Sequence, residues 1–215
     1  MNQTSSHRDD RMAHGVVFVL VFAGLLLVPP LRRWPWVWLA PFLGYFVVVA
    51  AVPRLRRSLV WLRFGKISAA SFFATIGIAG ATVLTLVLFR ATRQPNVPSY
   101  SAALPFESLG GVIMAGIIFT LANAALEELV FRGILFDALE SQWGAWFTLV
   151  VTALLFGLGH LRGYPSGVAG AGLAVVFGLA TGGLRLWSGG LTLPVLAHLA
   201  ADATIYVILT RAGVV

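Results

Sequence analysis

Between Lys66 and Arg90 the chain runs from Ile67 to Phe89 without a single charged side chain. An α-helix of about 20 apolar residues matches the hydrocarbon thickness of a bilayer. Inside lipid, every backbone N–H and C=O must also find its partner within the protein, so a helix is the form such a run takes. Six further apolar runs follow the same rule: Met12 to Val28, Trp34 to Val52, Leu109 to Leu126, Trp143 to Gly159, Val168 to Leu186 and Leu191 to Leu209. Only 11% of the 215 residues are charged and 59% are hydrophobic, whereas an ordinary soluble domain carries about 25% charged residues. Too little polar surface exists to clothe a water-facing globule. The expected fold is an all-α polytopic membrane protein of about seven transmembrane helices around an intramembrane polar cavity. Residues 1–11 read as a polar tail, 12–108 as three helices and a Pro-bearing loop, and 109–215 as a core of four helices.

The first run stops at Pro29-Pro30, and no small-residue cleavage site precedes Arg32-Arg33, so it reads as a retained helix. Pro35 falls near the start of the second helix, and Pro41 is expected to kink it. The net charge of +7 would suggest nucleic acid in a soluble protein. Here the basic residues lie in short connections, where they set membrane orientation, and no nucleic-acid motif accompanies them. An inside N-terminus puts Arg8, Arg11, Arg54, Arg56, Arg57, Arg63, Lys66 and Arg185 on the inner side, against six on the outer. A bacterial cytoplasmic membrane with the N-terminus inside is the expected setting. All seven Trp fall near the ends of apolar runs, as expected of rings at headgroup depth. Gly178 and Gly182, four apart in the sixth helix, predict a close helix contact. With no Cys, disulfides, thiolate metal sites and Cys nucleophiles are excluded.

Ionisable groups at membrane depth cost about 2.5–3.5 kcal/mol each on insertion scales, so those present need a reason. Three constellations stand out. Glu128 and Arg132 are i and i+4 on the fourth helix and can pair, with the acid N-terminal to the base. Glu127 then points about 100° away, on the face of Asn123. His160 ends the fifth helix in Phe-Gly-Leu-Gly-His, where a lone His is more often a dipole partner or a capping group at the helix C-terminus than a catalyst. His198 and Asp202 share one face of the seventh helix, and a His–Asp bond between helices is the structural alternative. Together these groups form an inventory for activating water and stabilising an oxyanion.

Three motifs resemble, in order, those of the CPBP family of CAAX proteases and bacteriocin-processing enzymes, also called Abi or Rce1-like. Glu-Glu-Leu-Val-Phe-Arg at 127–132 is similar to its EExxxR, Phe156 to His160 to its FxxxH, and His198 to Asp202 to its HxxxN/D. The likeness covers 109 to about 209. It implies an intramembrane endopeptidase with Glu127 as general base and His160 holding or polarising the water. His198 and Asp202 would bind the oxyanion or orient the substrate, and Arg132, partnered by Glu128, would fix the glutamates. Asp202 stands where many members have Asn, and a carboxylate cannot donate unless protonated, which favours His198 as the donor.

The resemblance leaves two routes: a zinc ion on Glu127, His160 and His198, or a metal-free, glutamate-type mechanism, which is favoured because His works as an acid or base at neutral pH unaided. The expected partners are the bilayer and a membrane-anchored or lipidated peptide or protein. Rival classes are a non-enzymatic immunity or scaffold protein and a small proton-coupled transporter, the latter disfavoured by the lack of an internal repeat. Of the eight carboxylates, Asp9 and Asp10 fall in the tail, Glu107 in a loop, and Asp137 and Glu140 are expected at the interface. Glu127, Glu128 and Asp202 remain at membrane depth.

Overall fold

The computed structural model describes residues 3–33, 35–93 and 108–212. Trp34 and the greater part of the Pro-bearing loop, Glu107 included, lie outside the described residues. The elements are α1 (Gln3–Leu25), α2 (Trp36–Ala51), α3 (Pro53–Arg57), α4 (Ala69–Arg93), α5 (Leu109–Glu128), a π-helical stretch (Leu129–Leu135), α6 (Phe136–Trp143), α7 (Ala145–Gly159), α8 (Gly167–Ser188) and α9 (Thr192–Ala212). Among the described residues no strand occurs, and the protein is an all-α integral membrane protein. Four stretches are long and apolar enough to cross a bilayer alone: Ala69–Arg93, Leu109–Trp143, Gly167–Ser188 and Thr192–Thr210. Trp36–Ala51 and Ala145–Gly159 are shorter apolar helices.

The seven apolar runs all form helices, but the count is not seven. If α5, the π stretch and α6 are taken as one rod, eight helices are present among the described residues. The addition is α3, which Pro53 starts where its missing N–H costs nothing, and which buries Leu55 while exposing Arg54, Arg56 and Arg57. The rod itself settles how residues 129–141 are built: they continue α5 and do not form a separate interfacial helix. It stops at Gly144, whose φ of 78° serves as a one-residue joint into α7. Pro41 lies inside α2 without ending it.

The packing has two sides. On one, α1 lies against α2, α6 and the π stretch; on the other, α4 lies against α8 and α9. The central contact is α7 on α8, where a Cβ on Gly182 would stand 2.4 Å from Leu149 Cδ1 and one on Gly178 would stand 3.0 Å from Ala153 Cα. The two glycines therefore allow the helix approach that their spacing predicts.

Three sequence expectations change here. Trp36, Trp143, Trp146 and Trp187 are exposed, as an interfacial belt requires, but Trp61 is wholly buried in the α1–α2 core. Asp137 is buried too, not interfacial: Arg11 binds both its oxygens at 2.8 Å, and Arg63 lies at 3.5 Å. Glu140, more exposed, accepts from the same Arg11 at 3.1 Å. Arg185 lies within α8 and is buried, so it is no longer an orientation residue of a loop. In each case a partner distant in the chain, invisible to local pattern, supplies the burial.

A second polar network near Trp61 is closed. The indole N–H can only donate, so Tyr45 Oη accepts from Trp61 Nε1 at 3.0 Å and turns its own proton to His14 Nδ1 at 2.7 Å. His14 Nε2 then donates to Ser58 Oγ at 3.1 Å, and Ser58 donates to the Arg54 carbonyl at 2.9 Å. Every donor has an acceptor with a neutral imidazole. Removing the Tyr45 hydroxyl orphans Trp61 Nε1 and His14 Nδ1, each a loss of about 1–3 kcal/mol. Tyr45→Phe is therefore expected to lower stability by about 2 kcal/mol or more, measured by thermal unfolding of the detergent-solubilised chain.

Candidate active site

The site begins where α5 changes its winding. A π segment adds a residue to the turn and is often found at functional sites, and here it follows directly after Glu127 and Glu128. Glu128 and Arg132 are fully buried and pair at 3.1 Å across four residues. The guanidinium reaches further: Nη2 donates to Thr181 Oγ1 at 2.6 Å and to the Gly178 carbonyl at 3.3 Å, both on α8, and Cζ stands 4.5 Å from the Phe156 ring centroid on α7. The Arg132 carbonyl accepts from Arg185 Nε at 2.9 Å. A Cβ on Gly178 would lie 3.4 Å from Arg132 Nη2, so the glycine that lets α7 and α8 approach also makes room for this guanidinium.

From the other side of the pair, Glu128 Oε1 accepts from His198 Nδ1 at 2.7 Å. That bond orients the ring on α9 so that Nε2 faces Glu127 Oε2 and Asp202 Oδ1, each at 3.7 Å. Asn123 closes the ring of contacts, its Nδ2 donating to Glu127 Oε1 and to Asp202 Oδ2, both at 3.2 Å. All of these side chains are buried. Three carboxylates thus meet one guanidinium and one imidazole, in a place where charge is expensive and needs a partner. Glu127 Oε2 is buried and makes no hydrogen bond among the described residues, leaving an acceptor free beside His198.

His160 caps α7. Its Nδ1 donates to the Phe156 carbonyl at 2.9 Å, which leaves Nε2 as an acceptor in the neutral ring. No contact joins it to Glu127 among the described residues; the link is a cavity of about 200 Å3 that His160 shares with His198 and Asp202. Its other walls are mostly apolar, with Phe156, Leu173 and Phe177 from α7 and α8, and Ala81, Thr85 and Leu86 from α4. Glu127 stands behind His198 and Asp202 as seen from this space.

All six residues named from sequence therefore lie around one centre, five in direct chain and His160 across the cavity. Asn123 was legible only as a neighbour of Glu127 on its helix face; that it also reaches Asp202 depends on α9. Thr181, an ordinary helix hydroxyl, carried no signal in the sequence, and Arg185, near the end of an apolar run, carried one for orientation but none for the site. The donors do not fit a zinc ion as placed. Among the described residues no three His, Cys, Asp or Glu side chains form a ligand group. Zinc ligands stand about 2.0–2.2 Å from the metal, and His198, whose Nδ1 is bonded to Glu128, has only Nε2 to offer one.

Breaking a buried ion pair from one side costs about 3–5 kcal/mol, because the remaining charge is left alone. Arg132→Met is expected to lower stability on that scale in chemical or thermal unfolding in detergent. The double variant Arg132→Met with Glu128→Gln should recover part of the loss.

Residues 109–204 match the family described as Rce1-like, type II CAAX prenyl endopeptidase. An uncharacterized 24.3 kDa protein of Escherichia coli is 33% identical over 117 residues, which is 54% of this chain and 53% of that protein. The match thus spans about half the length of each. No solved structure matches the chain.

Proposed function

Because residues 109–204 belong to the Rce1-like family of type II CAAX prenyl endopeptidases, we propose that this chain is an intramembrane endopeptidase that hydrolyses a peptide bond of a membrane-anchored substrate with water activated by Glu127. The observation that carries the reading is the position of His198 Nε2, 3.7 Å from both Glu127 Oε2 and Asp202 Oδ1 at the edge of a mostly apolar cavity. A separation of 3.7 Å is too long for a direct hydrogen bond. A water bound at Nε2 lies within reach of both carboxylates, and Glu127 has an uncommitted oxygen to accept its proton.

The steps balance without a further reactant. Glu127 takes one proton from water as the oxygen attacks the scissile carbonyl carbon. The carbonyl oxygen becomes an oxyanion, stabilised by His198 in its imidazolium form through Nε2–H. The C–N bond then breaks as Glu127 returns the proton to the leaving amine, giving a carboxylic acid and an amine. Glu128 holds the His198 ring by its other nitrogen, and Arg132 holds Glu128. Asn123 ties Glu127 to Asp202 and sets the spacing between them. His160 holds or polarises the water from across the cavity, its free Nε2 accepting a hydrogen bond from it. Preorganised groups in a site of low dielectric act strongly because they need not reorganise as charge develops. No step passes through a metal.

Proton transfer by a placed side chain contributes about 100- to 10,000-fold to rate. Purified chain in liposomes is to be incubated with quenched fluorogenic peptides that carry one hydrophobic span and differ in the residues flanking it. Glu127→Gln, nearly isosteric, is expected to lose at least 100-fold in cleavage while keeping its unfolding temperature, and His160→Ala to lose activity as well. Full activity in Glu127→Gln overturns the proposal, and a scaffold or immunity protein would tolerate that change in the cell.

With the N-terminus inside, alternate crossings place α3 on the inner face and the His160–Ser166 connection on the outer. The chain has no Cys, so single cysteines report topology directly. A membrane-impermeant maleimide is expected to label Arg162→Cys in intact cells and Arg56→Cys only after permeabilisation; the reverse pattern inverts the orientation.

A further inference from the structure

Three of the four tyrosines fall among the described residues, and their hydroxyls differ in kind. Tyr45 Oη is doubly bonded, to Trp61 and His14. Tyr206 Oη donates to the Val112 carbonyl at 2.6 Å. Tyr164 Oη is buried with no hydrogen-bond partner among the described residues, although the residue is only 8% exposed. Buried phenols normally find a partner, since an orphaned hydroxyl forfeits its bonds to water. Such a group in a native fold calls for an explanation.

Its location supplies one. Tyr164 belongs to the short connection between α7 and α8, four residues after His160, and lines the same cavity as His160, His198 and Asp202. The ring is fixed by an edge-on contact with Phe89 of α4, centroids 6.2 Å apart at 87°, and by packing with Leu86 and Ala201. A peptide held in this cavity presents backbone carbonyls that need donors, and few are free. His160 Nδ1–H is spent on Phe156 and His198 Nδ1–H on Glu128, while Thr82 Oγ1 donates to the Ile78 carbonyl at 2.8 Å. Asp202, as a carboxylate, only accepts. Apart from His198 Nε2–H, which the proposed mechanism assigns to the oxyanion, the Tyr164 hydroxyl is the donor with nothing to donate to among the described aromatic and charged groups around the cavity. Burial pushes its pKa above the ordinary phenol value, with Arg90 acting in the opposite sense, so it remains an O–H donor at neutral pH.

We propose that Tyr164 is a substrate-binding residue whose hydroxyl donates a hydrogen bond to a backbone carbonyl of the peptide held in the cavity, away from the scissile bond. The proposal rests on the endopeptidase reading. It also explains why the cost of the unpartnered hydroxyl is retained: the bond is made only when substrate is present.

The test uses Tyr164→Phe in the full-length protein, which keeps the ring and its contact with Phe89. It is assayed on the fluorogenic single-span peptide that the unaltered protein cleaves in liposomes. A hydrogen bond made equally in ground and transition states shows in KM and not in kcat. KM is expected to rise about three- to ten-fold, the equivalent of one neutral hydrogen bond, with kcat within two-fold. Unfolding temperature without peptide is expected to stay level or rise, because the variant removes an unpartnered polar atom; a merely structural hydroxyl would lower it and leave KM alone. Unchanged KM, a fall in kcat alone, or a clear loss of thermal stability each overturns the proposal while leaving the protease reading intact. Failure of the unaltered protein to cleave any of the peptides overturns both.

Discussion

Four helices, with α5 and the π stretch taken as one rod, meet at one buried ion pair. Glu128 and Arg132 are fully excluded from solvent, and each uses what the pair leaves over to hold something else. Arg132 reaches Gly178 and Thr181 on α8 and lies over Phe156 on α7, while Glu128 orients His198 on α9. A charged pair in a dry interior repays its desolvation only with good geometry and additional hydrogen bonds. Here the additional bonds run to neighbouring helices, so satisfying the pair and assembling the helices are the same event. The relation of His198 to Glu127 follows from that assembly.

A division of labour between the two sides of the molecule follows as well. On the α1–α2 side, polar atoms are matched one for one: Trp61, Tyr45, His14 and Ser58 form a closed line of donors and acceptors, and Asp137 is held by Arg11 with Arg63 near. On the α4 side, the cavity keeps polar atoms with unused capacity, among them Glu127 Oε2 just behind it and Tyr164 Oη. Closed networks stiffen a fold, whereas unspent donors and acceptors are what a substrate can use. The family match ends before α4 is reached, at residue 109, yet α4 supplies Ala81, Thr85 and Leu86 to the cavity wall. The segment outside the matched region therefore helps to shape the space in which a substrate would lie.

The motif residues were legible because their geometry is local. An i, i+4 spacing on a helix places Glu128 beside Arg132, Asn123 near Glu127 and His198 near Asp202 whatever surrounds them. Misreadings came where the deciding partner lies far along the chain. Trp61 looked like a belt residue until Tyr45 and the α1–α2 core covered it; Asp137 looked interfacial until Arg11, 126 positions away, reached it. Arg185 looked like a loop cation because a basic residue closing an apolar run has that pattern, and only its bond to the Arg132 carbonyl shows otherwise.

The sequence by itself determined that this chain forms apolar helices in a bilayer and that its motif acids fall on two of them, because hydrophobic run length and helical period are properties of neighbours in the chain. Only the tertiary structure decided which polar groups are spent and which are spare. Glu127 and Glu128 are adjacent and identical in type, yet one orients an imidazole and pairs with a guanidinium while the other keeps an oxygen free beside the cavity. Tyr206 and Tyr164 differ in the same way. Hydrogen-bond satisfaction is a sum over all elements that surround an atom, and no segment of the chain carries that sum alone.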